Sequence, residues 1–179
     1  NLALKPNDDL WFDWSAYLNQ TWWQDTDTTF NKNQFLELSE VITSAPDGFK
    51  LGRQVSKVFE DRKLMASGEI PINWGFAESM AYATLLSEGY PIRLTGQDVR
   101  RGTFSHRHAA IYNAEDGVGH IPLVDVARDS STRMDIYDSF LSEEAVLGFE
   151  YGYSATWPSG LVMWEAQFGD FVNGAQVVI

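Results

Sequence analysis

Residues able to bind ligands or transfer protons are concentrated in one stretch, residues 93–110, which reads RLTGQDVRRGTFSHRHAA. It holds two of the three histidines of the chain, His106 and His108, and an adjacent amide and acid, Gln97 and Asp98. The stretch follows a short apolar run, an arrangement typical of a site loop that leaves the end of a buried strand. A solvated surface loop is the alternative interpretation of this stretch taken alone.

Basic residues are also clustered here, although the chain as a whole is acidic, with a net charge of -12. The overall charge argues against a nucleic-acid surface, which needs clustered lysine and arginine over a whole face. The local cluster could hold an anionic substrate or cofactor, or it could neutralise nearby carboxylates. Its members are Arg93, Arg100, Arg101 and Arg107.

A second segment with chemical potential begins at Ser142, the predicted cap of a helix that runs to about Ala155. Two adjacent acids, Glu143 and Glu144, open this helix. Such acids normally face water and interact with the helix dipole. If the helix end points into a closed site, however, one of them turns inward and acquires a functional pKa through desolvation.

Small residues recur along the same predicted helix, at positions 145, 148, 152 and 155. Each glycine inside a helix costs about 1 kcal/mol relative to alanine, so something must pack close to the backbone to offset that cost. A second helix, another subunit or a flat cofactor would serve, and tight packing within the fold is the structural alternative.

The third segment, WEAQFGDF, carries Phe168 and Phe171 three positions apart at a predicted strand-to-helix junction. Two aromatic rings at this spacing could clamp a planar ring or fill the core of the domain. From the residues alone, core filling is the favoured interpretation.

The elements that must position these segments form an α/β pattern. Helices are predicted over 54–66 and 74–88, and apolar runs that predict strands alternate with later helices, which indicates a mostly parallel sheet flanked by helices on both faces. We divide the chain into an N-terminal Trp-rich helical arm, residues 1–47, and an α/β domain, residues 48–179. The predicted strands are 92–95, 108–112, 134–137 and 161–166, and a last helix is predicted from residue 171 onward.

Composition narrows the possible classes further. The chain has no cysteine, which excludes a disulfide scaffold, a zinc ribbon and a cysteine nucleophile. No apolar run reaches membrane-spanning length. The first residue is not methionine, and we expect the 179 residues to be part of a longer polypeptide.

Three segments together resemble the decarboxylating component of 2-oxoglutarate dehydrogenases. They read INWGFAESMAYATLLSEGYPIRLTGQDVRRGTFSHRHA, LSEEAVLGFEYGYS and WEAQFGDFVNGAQVVI. The likeness is dense from Gly68 to the last residue and weaker across the Trp-rich arm. It implies the pyrimidine-binding domain of a thiamine-diphosphate enzyme, a homodimer that uses Mg²⁺, decarboxylates 2-oxoglutarate and passes the succinyl group to a lipoyl-bearing succinyltransferase. It further implies the bacterial cytoplasm or the mitochondrial matrix, with no nucleic-acid or membrane partner.

The resemblance also implies roles for individual residues. Glu143, the first acid of the SEE run, matches the carboxylate that shares a proton with the aminopyrimidine ring. Phe168 and Phe171 match the aromatic pair that lines the pyrimidine pocket, and Gln97 and Asp98 match the polar pair at the edge of the cofactor site. His106 and His108 are expected to contribute to binding substrate or intermediate, whereas structural or allosteric roles are expected for the arginines.

The sequence departs from the family pattern in two places. It contains no GDG followed by Asn, the family's metal and diphosphate signature, and no segment resembling PEHSS. We therefore expect no metal ligands in this chain and no turnover by it alone. Two alternatives stay open: a sister dehydrogenase for the longer diacid 2-oxoadipate, and a non-catalytic dimerisation module with the same fold.

Overall fold

A computed structural model describes residues 12–21, 23–127 and 132–179. Trp11 and Trp22, two members of the Trp-rich arm, lie outside the described residues. The helices are α1 (Lys32–Ile42), α2 (Arg53–Ser67), α3 (Trp74–Ser87) and α4 (Glu143–Ala155). The strands are β1 (Ile92–Gly96), β2 (Ile111–Tyr112), β3 (Gly119–His120), β4 (Met134–Asp138) and β5 (Leu161–Glu165), and short 3-10 helices cover Ser15–Tyr17, Pro122–Val126 and Asp170–Val172.

The centre of the fold is a three-stranded parallel sheet with the strand order β4-β1-β5. β1 lies in the middle, and its last residue, Gly96, pairs with Asp138 on one side and Glu165 on the other. The carboxyl ends of all three strands therefore lie at one edge, where the loops that follow them meet. Ligand sites of open α/β sheets form at such an edge.

One face of the sheet is covered by an apolar layer built from α3 and α1. Asn73 begins α3, because its side chain accepts a hydrogen bond from the backbone N–H of Phe76 at 2.9 Å. The apolar residues of α3 recur at helical spacing, and Phe76, Ala83 and Leu86 are fully buried against Ile92 and its neighbours. This layer holds β1 rigidly in the middle of the sheet.

The opposite face carries α4, which contacts β5. The small-residue face of α4 points outward: a Cβ atom added at Gly148 or at Gly152 would meet nothing within 4 Å among the described residues. The close partner that the small residues predict is thus not supplied by the described part of this chain.

The predicted α/β architecture with a mostly parallel sheet is confirmed. Two predicted elements differ. The strand expected at 108–112 is reduced to β2, which pairs antiparallel with β3, because His108 has a positive φ of 44° that interrupts extended backbone. The helix expected from residue 171 is only the 3-10 helix Asp170–Val172 followed by turns, since Asn173 and Gly174 break it.

The N-terminal arm contacts the far end of α4. Within residues 12–21, the helical structure predicted for the arm is limited to the 3-10 helix Ser15–Tyr17, whereas α1 forms a regular helix further along the arm. The indole N–H of Trp14 donates a hydrogen bond to the carbonyl oxygen of Ala155 at 2.9 Å. This hydrogen bond joins the arm to the C-terminal end of α4. The boundary between residues 47 and 48 stays a prediction. Among the described helices, none is both long enough and apolar enough to cross a bilayer.

Candidate functional site

A network of side-chain amides and carboxylates occupies the carboxyl edge of the sheet. Gln97 follows β1 directly, and its Nε2 donates a hydrogen bond to Oε1 of Glu143 at 3.1 Å. Nε2 of Gln167, which follows β5, donates to the carbonyl oxygen of Gln97 at 2.9 Å, and the backbone N–H of Gln167 donates to Oδ2 of Asp170 at 3.0 Å. The network therefore joins the ends of β1 and β5 to the start of α4.

The two acids at the start of α4 point in different directions. Glu143 is half-buried and bonded to Gln97, whereas Glu144 is exposed. The Glu143 carboxylate lies against the backbone at Gly174, where an added Cβ would stand 2.5 Å from Oε2. Only glycine at position 174 leaves room for this carboxylate in its observed place. Of the two acids, Glu143 is the one directed toward the network.

A cleft of about 400 Å³ opens beside this network. Its walls are largely apolar and aromatic, which suits a planar ring. Phe171 is half-exposed in the cleft wall and Phe168 is fully exposed, so neither fills the core. Glu143 does not line the cleft; Gln167 belongs to both the cleft and the network and connects them. The lining residues are Thr103, Phe104, His106, Glu165, Ala166, Gln167, Phe168 and Phe171.

His106 also lines this cleft. Its ring packs on Gly102, where an added Cβ would lie 2.5 Å from Cε1 of the imidazole, and the φ of +79° at this position also favours glycine. Nδ1 of His106 is buried without a hydrogen-bond partner among the described residues. A buried polar atom of this kind is expected to be satisfied by water or a ligand.

Beneath the cleft, the guanidinium of Arg107 is buried between two carboxylates. Its Nε donates to Oε1 of Glu78 at 2.5 Å, its Nη1 donates to the carbonyl oxygen of Val99 at 2.9 Å, and its Nη2 contacts Glu165. Burial alone would lower the pKa of Arg107, but the hydrogen bonds to the two carboxylates raise it above its usual value.

The same carboxylates belong to a group with metal-ligand character. Ligand atoms of Glu78, His106 and Glu165 lie within 4.8 Å of one another. The guanidinium of Arg107 already places a positive charge between the two carboxylates. Because a metal ion would have to displace this bidentate cation, we assign no metal to the group.

His108 and Asp98 stand apart from the cleft. His108 is buried beside Arg62 and Ser79 and lines a different, very small cavity, and its Nε2 has no hydrogen-bond partner among the described residues. Burial, together with the charges of Arg62 and Arg101, lowers the pKa of His108. Asp98 has a positive φ of 58°, and its hydrogen bonds from Arg101 lower its pKa. The structure thus does not bring these two residues together with Glu143.

The arginine cluster mainly neutralises carboxylates, the second of the two interpretations left open by the sequence. Arg93 pairs with Glu150, Arg101 with Asp98, and Arg107 with two glutamates. Arg100 instead donates from Nε to the carbonyl oxygen of Ile136 at 3.2 Å.

Sequence reasoning missed several residues that connect the site. Gln167 and Asp170 tie the strand ends together, and Glu165 joins the cleft wall to Arg107. The signal was present in WEAQFGDF, where polar residues alternate with the phenylalanines. An acid or amide placed directly after a parallel strand is a site candidate in its own right.

Comparison with known proteins places this geometry in context. Residues 70–179 match the family model described as the pyrimidine-binding domain of transketolase. The whole chain is 54% identical to 19% of the 2-oxoglutarate dehydrogenase E1 component of Azotobacter vinelandii. The E1 component of Haemophilus influenzae is 48% identical over 93% of this chain, which corresponds to 18% of that relative's length. The E1 component of Cupriavidus necator is 50% identical over 93% of this chain, again 18% of the relative's length. The chain spans about a fifth of the length of these curated relatives.

Proposed function

Because this chain belongs to the transketolase pyrimidine-binding domain family, we propose that it forms the aminopyrimidine half of the thiamine-diphosphate site in a 2-oxoglutarate dehydrogenase E1 component. The predicted resemblance to this enzyme group is confirmed by relatives of that name that match over nearly the whole chain. The enzyme would decarboxylate 2-oxoglutarate and pass the succinyl group to a lipoyl-bearing succinyltransferase.

The observation that carries the proposal is the inward, half-buried carboxylate of Glu143 with an amide donor beside it. Nε2 of Gln97 donates at this contact, so Oε1 of Glu143 accepts and the carboxylate is oriented. A carboxyl group held in this way can receive and return one proton at a ring nitrogen. A module without catalytic function has no physical need for such a group.

The aromatic cleft supports the same assignment. Phe171 offers a half-exposed ring for stacking on a planar heterocycle, with Phe168 beside it, and His106 offers a buried nitrogen that lacks a partner. Thiamine diphosphate, when bound, supplies the carbon that adds to the 2-oxo group and the electron sink for release of carbon dioxide. The chain's own contribution is to orient the ring, hold the proton at Glu143 and bury the reacting face.

We place the diphosphate and Mg²⁺ on other parts of the enzyme, because these 179 residues contain no GDG sequence. A homodimer is part of the proposal. The open small-residue face of α4 gives a second backbone room to approach, and exposed aromatic side chains such as Tyr151 lie on the same helix.

The test uses the full-length enzyme that carries this chain, with Glu143→Gln as the variant and Glu144→Gln as the matched control. Loss of proton transfer predicts a fall in kcat of about 100-fold or more for Glu143→Gln. The neighbouring exposed acid should tolerate the same change within about twofold, since surface substitutions have small effects. An unchanged kcat for Glu143→Gln would refute the proposed role.

The same assay addresses the substrate and the alternatives. We expect 2-oxoglutarate to give a higher kcat/KM than 2-oxoadipate, and the reverse order would identify the sister dehydrogenase. Failure of the full-length protein to decarboxylate either acid would favour the non-catalytic module. We also expect no turnover by the 179-residue chain alone, so measurable decarboxylation by that chain would contradict the placement of the diphosphate anchor.

A further inference from the structure

A buried ion pair lies between β1 and α4, away from the cleft. Nε and Nη2 of Arg93 donate to Oε2 and Oε1 of Glu150 at 2.7 and 2.8 Å, a bidentate contact. The Arg93 side chain is 14% exposed and the Glu150 side chain only 4%. A pair of this geometry and burial fixes both distance and direction, which apolar packing does not.

Aromatic rings enclose the same guanidinium. The centroids of the Tyr153, Tyr137 and Phe149 rings lie 4.6, 5.0 and 5.6 Å from Cζ of Arg93. Two of these rings belong to α4, so the cation contacts the helix through its rings as well as through its carboxylate. The face of the sheet that would ordinarily be packed with aliphatic residues is here organised around one arginine.

The charged groups nearest to Arg93 on the sheet come from β4. Asp135 is paired with Arg93 in the strand register, but Nε of Arg133 contacts its Oδ2 at 2.7 Å. Arg133 also donates to the hydroxyl of Tyr153 at 2.9 Å. Asp135 therefore has its own cation, and Glu150 remains the carboxylate that Arg93 binds.

This pair is aligned with the contact that orients Glu143. Glu150 follows Glu143 by two helical turns, which return a side chain to the same face within about 20°. Arg93 lies in β1 and Gln97 directly follows the last residue of that strand, and both side chains reach α4, Arg93 at Glu150 and Gln97 at Glu143. Along the helix, Glu143 and Glu150 are about 10 Å apart. Along the direction of β1, Arg93 and Gln97 are about 13 Å apart. The Arg93–Glu150 and Gln97–Glu143 contacts, which have comparable spacing on both elements, thus join β1 and the residue after it to one face of α4.

From this alignment we propose that Arg93 and Glu150 are positioning residues, which hold α4 in the rotation and register that bring Glu143 against Gln97. The Gln97 contact is a single hydrogen bond at 3.1 Å from a neutral amide, which is too weak to orient a helix. A helix rotated by one residue, or shifted by one turn, would separate Arg93 from Glu150 and carry Glu143 away with it. The catalytic consequence rests on the proposed function of Glu143.

The first test is kinetic and uses the full-length enzyme with Arg93→Lys, which keeps the charge but cannot make the bidentate contact. We expect kcat to fall about tenfold, because small misplacements of a reacting group are costly. KM for 2-oxoglutarate should stay within about twofold, since Arg93 is not part of the cleft. The matched control, Arg133→Lys, changes a neighbouring arginine that also binds Tyr153, and it should leave kcat within about twofold.

A double variant separates positioning from general destabilisation. If Arg93 acts through Glu143, then Arg93→Lys combined with Glu143→Gln should be no slower than Glu143→Gln alone. If the two losses multiply, Arg93 has only a structural role and the inference is overturned. An unchanged kcat for Arg93→Lys would overturn it equally.

Hydrogen exchange of the full-length protein supplies a readout that does not depend on turnover. Amides of residues 143–150 should exchange about tenfold faster in Arg93→Lys than in the unmodified protein or in Arg133→Lys. Equal exchange in all three would overturn the claim that the pair holds α4. If Glu143→Gln leaves the rate unchanged, the proposed function fails, and faster exchange in Arg93→Lys then still supports the hold on α4.

Discussion

Replacing Arg107 by methionine gives the most demanding test of the packing beneath the cleft. The substitution keeps an unbranched chain about as far as the Nε position but removes the guanidinium that joins Glu78, Glu165 and the carbonyl oxygen of Val99. The Arg107 side chain is 1% exposed, so no water can replace the lost donors without rearrangement. The two carboxylates would be left facing each other without a cation.

The expected cost follows from the burial of each partner. Removing one member of a buried ion pair typically costs about 3–5 kcal/mol, because the remaining charge is left unpaired. The side chains of Glu78 and Glu165 are each 29% exposed and keep partial access to water. We therefore expect a loss near the lower limit, about 3 kcal/mol in the free energy of unfolding.

Urea unfolding of the chain, followed by tryptophan fluorescence, measures this loss. The control is Lys57→Met, which breaks the exposed contact between Lys57 and Asp61 and should leave the free energy of unfolding nearly unchanged, because exposed i,i+4 pairs contribute little. Adding Glu78→Gln to Arg107→Met should recover part of the loss by removing one unpaired charge. A loss below about 1 kcal/mol for Arg107→Met would refute the reasoning, because it would mean that the carboxylates are already well solvated.

Three further outcomes can be checked by the same unfolding assay. Burial lowers the pKa of His108, so the unfolded chain takes up a proton at this histidine before the folded chain does, as the pH falls below about 6.5. The free energy of unfolding should therefore decrease from pH 7.5 to 5.5, and this decrease should be smaller in His108→Asn. Burial raises the pKa of Tyr82 to about 12, so the unfolded chain loses its proton first, and stability should fall as the pH rises from about 10 to 12, with a smaller fall in Tyr82→Phe. Gly102→Ala should lower the free energy of unfolding by about 2 kcal/mol, and the control Gly117→Ala by about 1 kcal/mol. Both glycines have a positive φ, but only at position 102 would the added Cβ meet a side chain, the ring of His106, so equal losses would contradict that contact.

The fold was largely predictable because its signals are local. The apolar residues of α3 recur at helical spacing after a capping Asn73, and β1 and β5 read as short apolar runs close to their observed bounds. The short β2 and the missing last helix were mispredicted. His108 adopts a left-handed conformation, which histidine adopts more often than most residues, but the apolar residues that follow it favoured a strand.

The site was only partly predictable, because most of its contacts join residues that are far apart in the chain. The inward direction of Glu143 is consistent with the helix starting at the sheet edge, but its hydrogen bond to Gln97 joins residues far apart in the chain. His106 and His108 are two positions apart in the sequence yet border different cavities, and the left-handed backbone at His108 lies between the two rings' directions. The buried partners of Arg93 and Arg107 depend on tertiary packing, which spacing along the chain cannot specify.

The strand order also has a consequence for biosynthesis. β1 emerges from the ribosome before either of its neighbours, and Ile92 must wait for Met134 and then Leu161 to complete its row of the sheet. Until then both edges of β1 are unpaired and the part of the apolar core that later contacts Met134 and Ile136 is uncovered, and long-range parallel pairing is slow. A nascent chain stalled before residue 134 should therefore be a preferred substrate for chaperones, whereas one stalled after residue 165 should have its central sheet closed.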